Sequence, residues 1–161
     1  MRGRQRLAII TLLLLVATIA VIGTAQAQGR PLATTMTGAA EIPGPGDPDG
    51  TGTATLTVNP GLGQICYELT VAGIAPATAA HIHRGPAGVA GPPVVTLTTP
   101  DANGRSQGCA TVDPALARQM VLAAQDYYVN VHTAAHPSGA IRGQLRGGPP
   151  PVQRMQRVTG Y

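Results

Sequence analysis

Residues 51–72 read TGTATLTVNPGLGQICYELTVA. Apolar side chains alternate with polar or small ones over 51–58 and again over 63–72, which is the period of a β-strand with one buried face. Asn59-Pro60-Gly61 lies between the two runs and is a strong turn signal. The stretch therefore predicts an antiparallel β-hairpin.

The same alternation, interrupted by glycine and proline, continues on both sides of the hairpin. It predicts eight strands in all, over residues 32–40, 51–58, 63–72, 79–83, 93–99, 105–112, 126–132 and 139–146. One helical pattern runs from Pro114 to Gln125, with Asp113 in position to cap it. Many short strands separated by turns indicate an all-β fold, a Greek-key β-sandwich or barrel of about eight antiparallel strands with one short peripheral helix.

The N-terminal residues have the three parts of a secretion signal. Three arginines lie within the first six residues, an uncharged run extends from Leu7 to Ile22, and Ala25-Gln26-Ala27 has the form of a cleavage site. We therefore predict a signal peptide over residues 1–27 and a location outside the cytoplasm, secreted or in the cell envelope. The alternative is that the segment stays uncleaved as an anchor; after cleavage we expect no membrane span.

Cleavage leaves one predicted domain over residues 28–146 and a proline-rich tail over 147–161 that lacks periodicity and is expected to be disordered. Loss of the three N-terminal arginines lowers the net charge from +4 to +1. With no Trp, no Phe and no basic stripe, the domain lacks the features of nucleic-acid binding. We expect a monomer.

Acidic residues are scattered singly along the chain, and we expect them to be solvated turn residues. No pair of carboxylates and no Ser/His/Asp arrangement is recognisable, which favours a non-catalytic protein. Two cysteines, Cys66 and Cys109, are present, and in an exported protein they are most simply one intramolecular disulfide.

All four histidines lie in two strand motifs, residues 80–85 and 129–136. Because side chains alternate along a strand, His81 and His83 point to one face, and His132 shares the polar face of its own strand with Asn130. If the strands are neighbours, the three rings converge with Arg142 on one outward surface. His136 lies in the turn that follows, as a fourth ligand, a supporting group or a loop residue.

Three neutral imidazoles with an open fourth position suit copper(II) best and zinc second. Asn130 and Arg142 would support the ligands from the same face. Ring nitrogens of His81, His83 and His132 within about 3 to 4 Å of one another would indicate a preformed site. The alternative is that each histidine orders the structure through hydrogen bonds to loops.

Six motifs in this order resemble those of the CHRD (chordin) domain: Glu41-Ile42-Pro43, Gly52-Thr53-Ala54-Thr55-Leu56, Ile65-Cys66-Tyr67-Glu68-Leu69, His81-Ile82-His83-Arg84-Gly85, Tyr128-Val129-Asn130-Val131-His132-Thr133 and Ser138-Gly139-Ala140-Ile141-Arg142-Gly143-Gln144-Leu145. The resemblance covers residues 32–146. The family includes chordin, an extracellular binder of bone morphogenetic proteins, and exported bacterial proteins without an assigned activity. The resemblance implies a binding or envelope module whose protein or envelope partner is unknown.

A fainter resemblance is to copper/zinc superoxide dismutase. In that family a His-x-His strand supplies two copper ligands, a later strand histidine supplies another, and an arginine lies near the copper. The corresponding residues here are His81, His83, His132 and Arg142, in the same order. The chain has no counterpart of the bridging histidine or of the zinc-binding loop. A copper-dependent enzyme acting on superoxide or in other redox chemistry is thus the alternative to a non-catalytic copper-site module.

Overall fold

The structure, a computed structural model, describes residues 29–148. The predicted signal peptide falls outside the described residues, as does the predicted tail from residue 149 onward. The described elements, in chain order, are β1 (Arg30–Thr37), β2 (Thr51–Asn59), β3 (Gln64–Ala72), β4 (Ala77–Arg84), β5 (Pro93–Leu97), β6 (Arg105–Thr111), α1 (Pro114–Leu122), β7 (Tyr127–Thr133), β8 (Ile141–Gln144) and β9 (Arg146–Gly147).

Eight strands form one antiparallel sheet in the order β5-β4-β7-β8-β1-β2-β3-β6, and the two-residue β9 pairs with β1. The hairpin of β2 and β3 pairs without interruption from Asn59–Gln64 at the turn to Thr51–Ala72 at the open end. Strand β8 returns to lie beside β1, which places the last long strands next to the first. The predicted all-β class and strand number are confirmed.

The sheet curls until its two edge strands approach each other as a nearly closed barrel. The hydroxyl of Tyr67 on β3 accepts a hydrogen bond from the Thr98 amide at 2.8 Å and lies 3.0 Å from the Thr98 hydroxyl. Thr98 directly follows the edge strand β5. Tyr67, on the strand next to the edge strand β6, therefore connects the two ends of the sheet.

Apolar side chains of the strands fill the interior, and the helix closes part of it. Ile82 of β4, Val129 of β7 and Ile141 of β8 are fully buried. Helix α1 packs against β2 and β3 and buries Ala117 and Met120. In β2 the buried residues Ala54, Leu56 and Val58 alternate with exposed ones, which is the alternation that the sequence predicts.

The helix begins as predicted, because the Asp113 carboxylate accepts a hydrogen bond from the Ala115 amide at 2.7 Å. It ends at Leu122, three residues before the predicted end at Gln125. A 3-10 turn over Ala124–Asp126 follows, because the chain must change direction there to enter β7.

Cys66 and Cys109 form the predicted disulfide. The two residues are direct partners in the register of β3 and β6, with their Cα atoms 3.9 Å apart. The bond lies on the outer face of the sheet, where Cys109 is exposed and Cys66 is partly buried. It therefore links two neighbouring strands without occupying the core.

The described chain ends alongside β1. Gly147 pairs with Leu32, and the Gly148 amide donates to the Pro31 carbonyl at 2.9 Å. The first two residues of the predicted tail thus continue the sheet. Within residues 29–148, no helix has the length and apolar character needed to cross a membrane.

Candidate metal centre

The register of three neighbouring strands brings the histidine motifs together. Strand β7 lies between β4 and β8, so that His81 pairs with Asn130 and Asn130 pairs with Arg142 on the far side. Ala79, two residues before His81, is opposite His132. The condition that the two histidine strands are neighbours is met, and the shared face follows from the antiparallel register.

Three imidazole rings meet on this face. One ring nitrogen from each of His81, His83 and His132 lies within 4.8 Å of the other two. Nδ1 of His81 and Nε2 of His132 are 3.1 Å apart, within hydrogen-bond distance. This pair meets the spacing expected of a preformed site. The set as a whole extends to 4.8 Å, which is wider than the predicted spacing of about 3 to 4 Å and about 1.5 Å wider than the nitrogen spacing of about 3.3 Å on a tetrahedral metal.

Hydrogen bonds to backbone carbonyls set the protonated nitrogen on two of the rings. Nδ1 of His83 lies 2.8 Å from the Gly91 carbonyl, and Nδ1 of His132 lies 3.0 Å from the Pro137 carbonyl. A carbonyl oxygen only accepts, so Nδ1 carries the hydrogen in both rings and Nε2 keeps its lone pair. Histidines that bind metals are typically held in this way.

The environment also favours the neutral form of two of the rings, those of His81 and His83. Burial is the main cause that lowers the pKa of His81, and the neighbouring rings of His132 and His83 lower it further. Burial likewise lowers the pKa of His83, against the opposing effect of its bond to Gly91. Because a metal binds the unprotonated nitrogen, both changes favour metal binding near neutral pH.

His136, the fourth predicted ligand, lies apart from this group. Its Nε2 faces Oδ2 of Asp47 at 3.9 Å, and its backbone amide donates to the Thr133 hydroxyl at 3.1 Å. The group of three ring nitrogens does not include it. Its neighbours place it at a turn beside an acidic loop residue.

The polar face was expected to point outward, and in this respect the prediction was wrong. Tyr128, Asn130 and Arg142 are all buried. The loop at residues 85–92 folds over them: the Arg142 guanidinium donates to the Pro86 carbonyl at 3.2 Å, and the Gln144 amide donates to the Gly85 carbonyl at 2.8 Å. The candidate metal centre is therefore a layer between the sheet and its loops.

Glu41 is a buried residue that the sequence analysis misjudged when it assigned the acids to solvated turns. It is 3% exposed, and burial raises its pKa to about 7 against the opposing charge of Arg142. Its carboxylate packs against Gly139, where any side chain would collide with it. In the sequence, the only indication that Glu41 has a special place was its position in the Glu41-Ile42-Pro43 motif, and no role was assigned to that motif.

Four atoms of this layer have no hydrogen-bond partner among residues 29–148 although they are buried. They are Oε1 of Glu41, Nε2 of His83, Oδ1 of Asn130 and Nη1 of Arg142. Buried polar atoms are normally paired, because an unpaired one costs about 1–3 kcal/mol. For Nε2 of His83, a metal ion would supply that partner.

Comparison with known proteins identifies one similarity. The profile of the CHRD domain matches residues 32–145, which include every residue of the metal centre. No curated protein and no solved structure matches the chain.

Proposed function

The chain belongs to the CHRD domain family, and from this premise we propose that it is a non-catalytic binding module outside the cytoplasm with a copper site at His81, His83 and His132. The family and the disulfide both suggest an extracellular protein. A signal peptide over residues 1–27 and an envelope or protein partner are part of the proposal.

The observation that carries the metal site is the combination of converging and oriented nitrogens. Side chains that serve only to order loops need one hydrogen bond each, which His83 and His132 already make through Nδ1. Nε2 of His83 is buried without a partner among the described residues, and Nε2 of His132 lies within hydrogen-bond distance of Nδ1 of His81, at 3.1 Å. A shared cation satisfies these nitrogens together.

Copper is favoured over zinc by the ligand chemistry. The three ligands are imidazoles, and both cysteines are joined in the disulfide, so no thiolate is present. Among divalent first-row metals, copper(II) binds a given nitrogen site most tightly. A fourth position remains for water or another ligand, as is usual for an open site.

Loss of one triad imidazole should weaken copper(II) binding on the order of 100-fold. We expect His81→Ala and His132→Ala to show this loss and to change the nitrogen hyperfine structure in the electron paramagnetic resonance spectrum, because each removes a ligand. The matched control is His136→Ala, which also removes a histidine and should bind copper like the wild type.

A wild-type protein without a specific copper signal, or a signal that survives both triad substitutions, would contradict the proposed site. Equal loss in His136→Ala would contradict the ligand set of three. Superoxide consumption by the copper-loaded protein, lost in His81→Ala, would contradict the non-catalytic assignment and favour the redox alternative.

Copper affinity should depend on pH in a way that reflects the burial of the rings. Protons compete for the ligand nitrogens, and each unit of pH below a ligand's pKa costs about tenfold in affinity for that ligand. Because the pKa values of His81 and His83 lie below their ordinary value of 6.5, the decline should begin below pH 6.5 and then steepen. Competition titrations in non-coordinating buffers measure it, and affinity that stays constant over the whole acidic range in which the protein remains folded would exclude imidazole ligation.

A further inference from the structure

We propose that Tyr128 is a positioning residue of the metal centre, which holds both the ring plane of His83 and the backbone carbonyl that sets its protonated nitrogen. The inference rests on the proposed metal site and adds a residue to it. Tyr128 would not bind the metal itself, because its hydroxyl is already engaged with the backbone of Gly91.

The first contact is a stack between two rings. His83 and Tyr128 are direct partners in the register of β4 and β7. Their ring centroids are 4.8 Å apart and the planes differ by only 15°. A parallel neighbour at this distance restricts rotation of the imidazole about its last side-chain bond, since any large rotation would drive the ring edge into the phenol.

The second contact holds Tyr128 in place from the opposite strand. The Cζ atom of Arg142 lies 3.4 Å from the centroid of the Tyr128 ring, within cation–π distance. Because β7 lies between β4 and β8, Arg142 and His83 reach Tyr128 from its two sides. The phenol ring is thus fixed between a cation and the candidate ligand.

The third contact connects the Tyr128 hydroxyl to the His83 tautomer. The hydroxyl accepts from the Gly91 amide at 3.1 Å and donates to the Gly91 carbonyl at 3.3 Å. The same carbonyl accepts from Nδ1 of His83 at 2.8 Å. Gly91 has to be a glycine here, because a Cβ would lie within 2 Å of the Arg84 carbonyl oxygen. Tyr128 therefore fixes the acceptor on which the orientation of His83 depends.

Loss of these contacts would allow His83 to move its hydrogen to Nε2 or to rotate. Either change removes the lone pair that points toward the other two rings, so one ligand of the three is lost for part of the time. Outer residues that orient ligating histidines affect metal affinity about 10–100-fold when replaced.

The experiment compares Tyr128→Phe with Tyr67→Phe. Tyr67 is a matched control, because its hydroxyl also accepts from a backbone amide, that of Thr98 at 2.8 Å, and lies on β3 away from the histidine strands. In copper(II) competition titrations we expect Tyr128→Phe to bind about tenfold more weakly and Tyr67→Phe to stay within about twofold of the wild type. Tyr128→Leu, which also loses the stack, should bind more weakly than Tyr128→Phe and show altered nitrogen hyperfine structure.

A second measurement needs neither metal nor substitution. Nitrogen-15 correlation spectra of the histidine rings in the metal-free wild type should show the His83 hydrogen on Nδ1. If the wild type binds copper, equal affinity and an unchanged spectrum in Tyr128→Phe would overturn the inference and leave the proposed function intact. A His83 hydrogen on Nε2 would overturn the inference and would also remove the lone pair on which the proposed role of His83 as a ligand depends. Failure of the wild type to bind copper would instead overturn the proposed function itself.

Discussion

Replacement of both cysteines by serine, Cys66→Ser with Cys109→Ser, should lower the free energy of unfolding by about 4 kcal/mol. The bond joins residues separated by 43 positions, and its loss frees a long loop in the unfolded chain. Cys109 is exposed and Cys66 is partly buried on the outer face, so the substitution leaves no cavity in the core. For a small domain, about 4 kcal/mol is a large part of the total stability.

Urea unfolding followed by circular dichroism measures this change in oxidised wild type and in the double variant. Wild type treated with a reductant should match the variant, and the reductant should leave the variant unchanged. An identical urea midpoint in the oxidised wild type and the variant would show that the cross-link does not act through the unfolded chain.

Glu41→Gln should gain stability relative to the wild type as the pH rises, by roughly 3 kcal/mol between about pH 4.5 and pH 7. In the unfolded chain this carboxyl ionises near its ordinary pKa of 4.5, whereas burial in the folded protein raises its pKa to about 7. Between these values the folded wild type binds more protons than the unfolded chain, so its free energy of unfolding falls with pH. Because glutamine does not ionise, the free energy of unfolding of the variant does not fall with pH for this reason.

The measurement is the difference between variant and wild-type free energies of unfolding at a series of pH values. Arg142 is the charged group that faces Glu41, and it remains in both proteins. His81 and His83, whose pKa values are lowered, add stability as the pH rises through 6.5, but they do so in both proteins and cancel in the difference. Glu68→Gln on β3 removes an exposed carboxyl and serves as the control. A difference that stays constant with pH would show that Glu41 is ionised without cost.

Much of the candidate metal centre was predictable, because the alternation of side chains along a strand depends only on neighbours in the chain. His81 and His83 share a face whatever the rest of the chain does, and the same holds for Asn130 and His132. The neighbourhood of these two strands was only a condition in the sequence analysis. The structure shows that the strands are neighbours, because its register places His81 opposite Asn130 and Asn130 opposite Arg142.

Other features of the site depend on loops and were beyond local rules. The burial of Glu41 and the position of His136 beside Asp47 follow from how the segments around them fold onto the sheet. The sequence analysis placed Tyr128 on the polar face without a further role. Nothing in its local sequence shows that the loop at residues 85–92 brings Gly91 to the Tyr128 hydroxyl.

The stretch at residues 51–72 determined its own structure, because alternation and a strong turn signal act between neighbours in the chain. The same local physics set the class of the fold, the faces of the histidine strands and the start of the helix at Asp113. Only the tertiary structure decided which histidines meet, which nitrogens carry hydrogens and which polar groups are buried. Those properties arise from contacts between residues distant in sequence, as between His83, Tyr128 and Gly91, and such contacts exist only after the sheet and its covering loops have packed together.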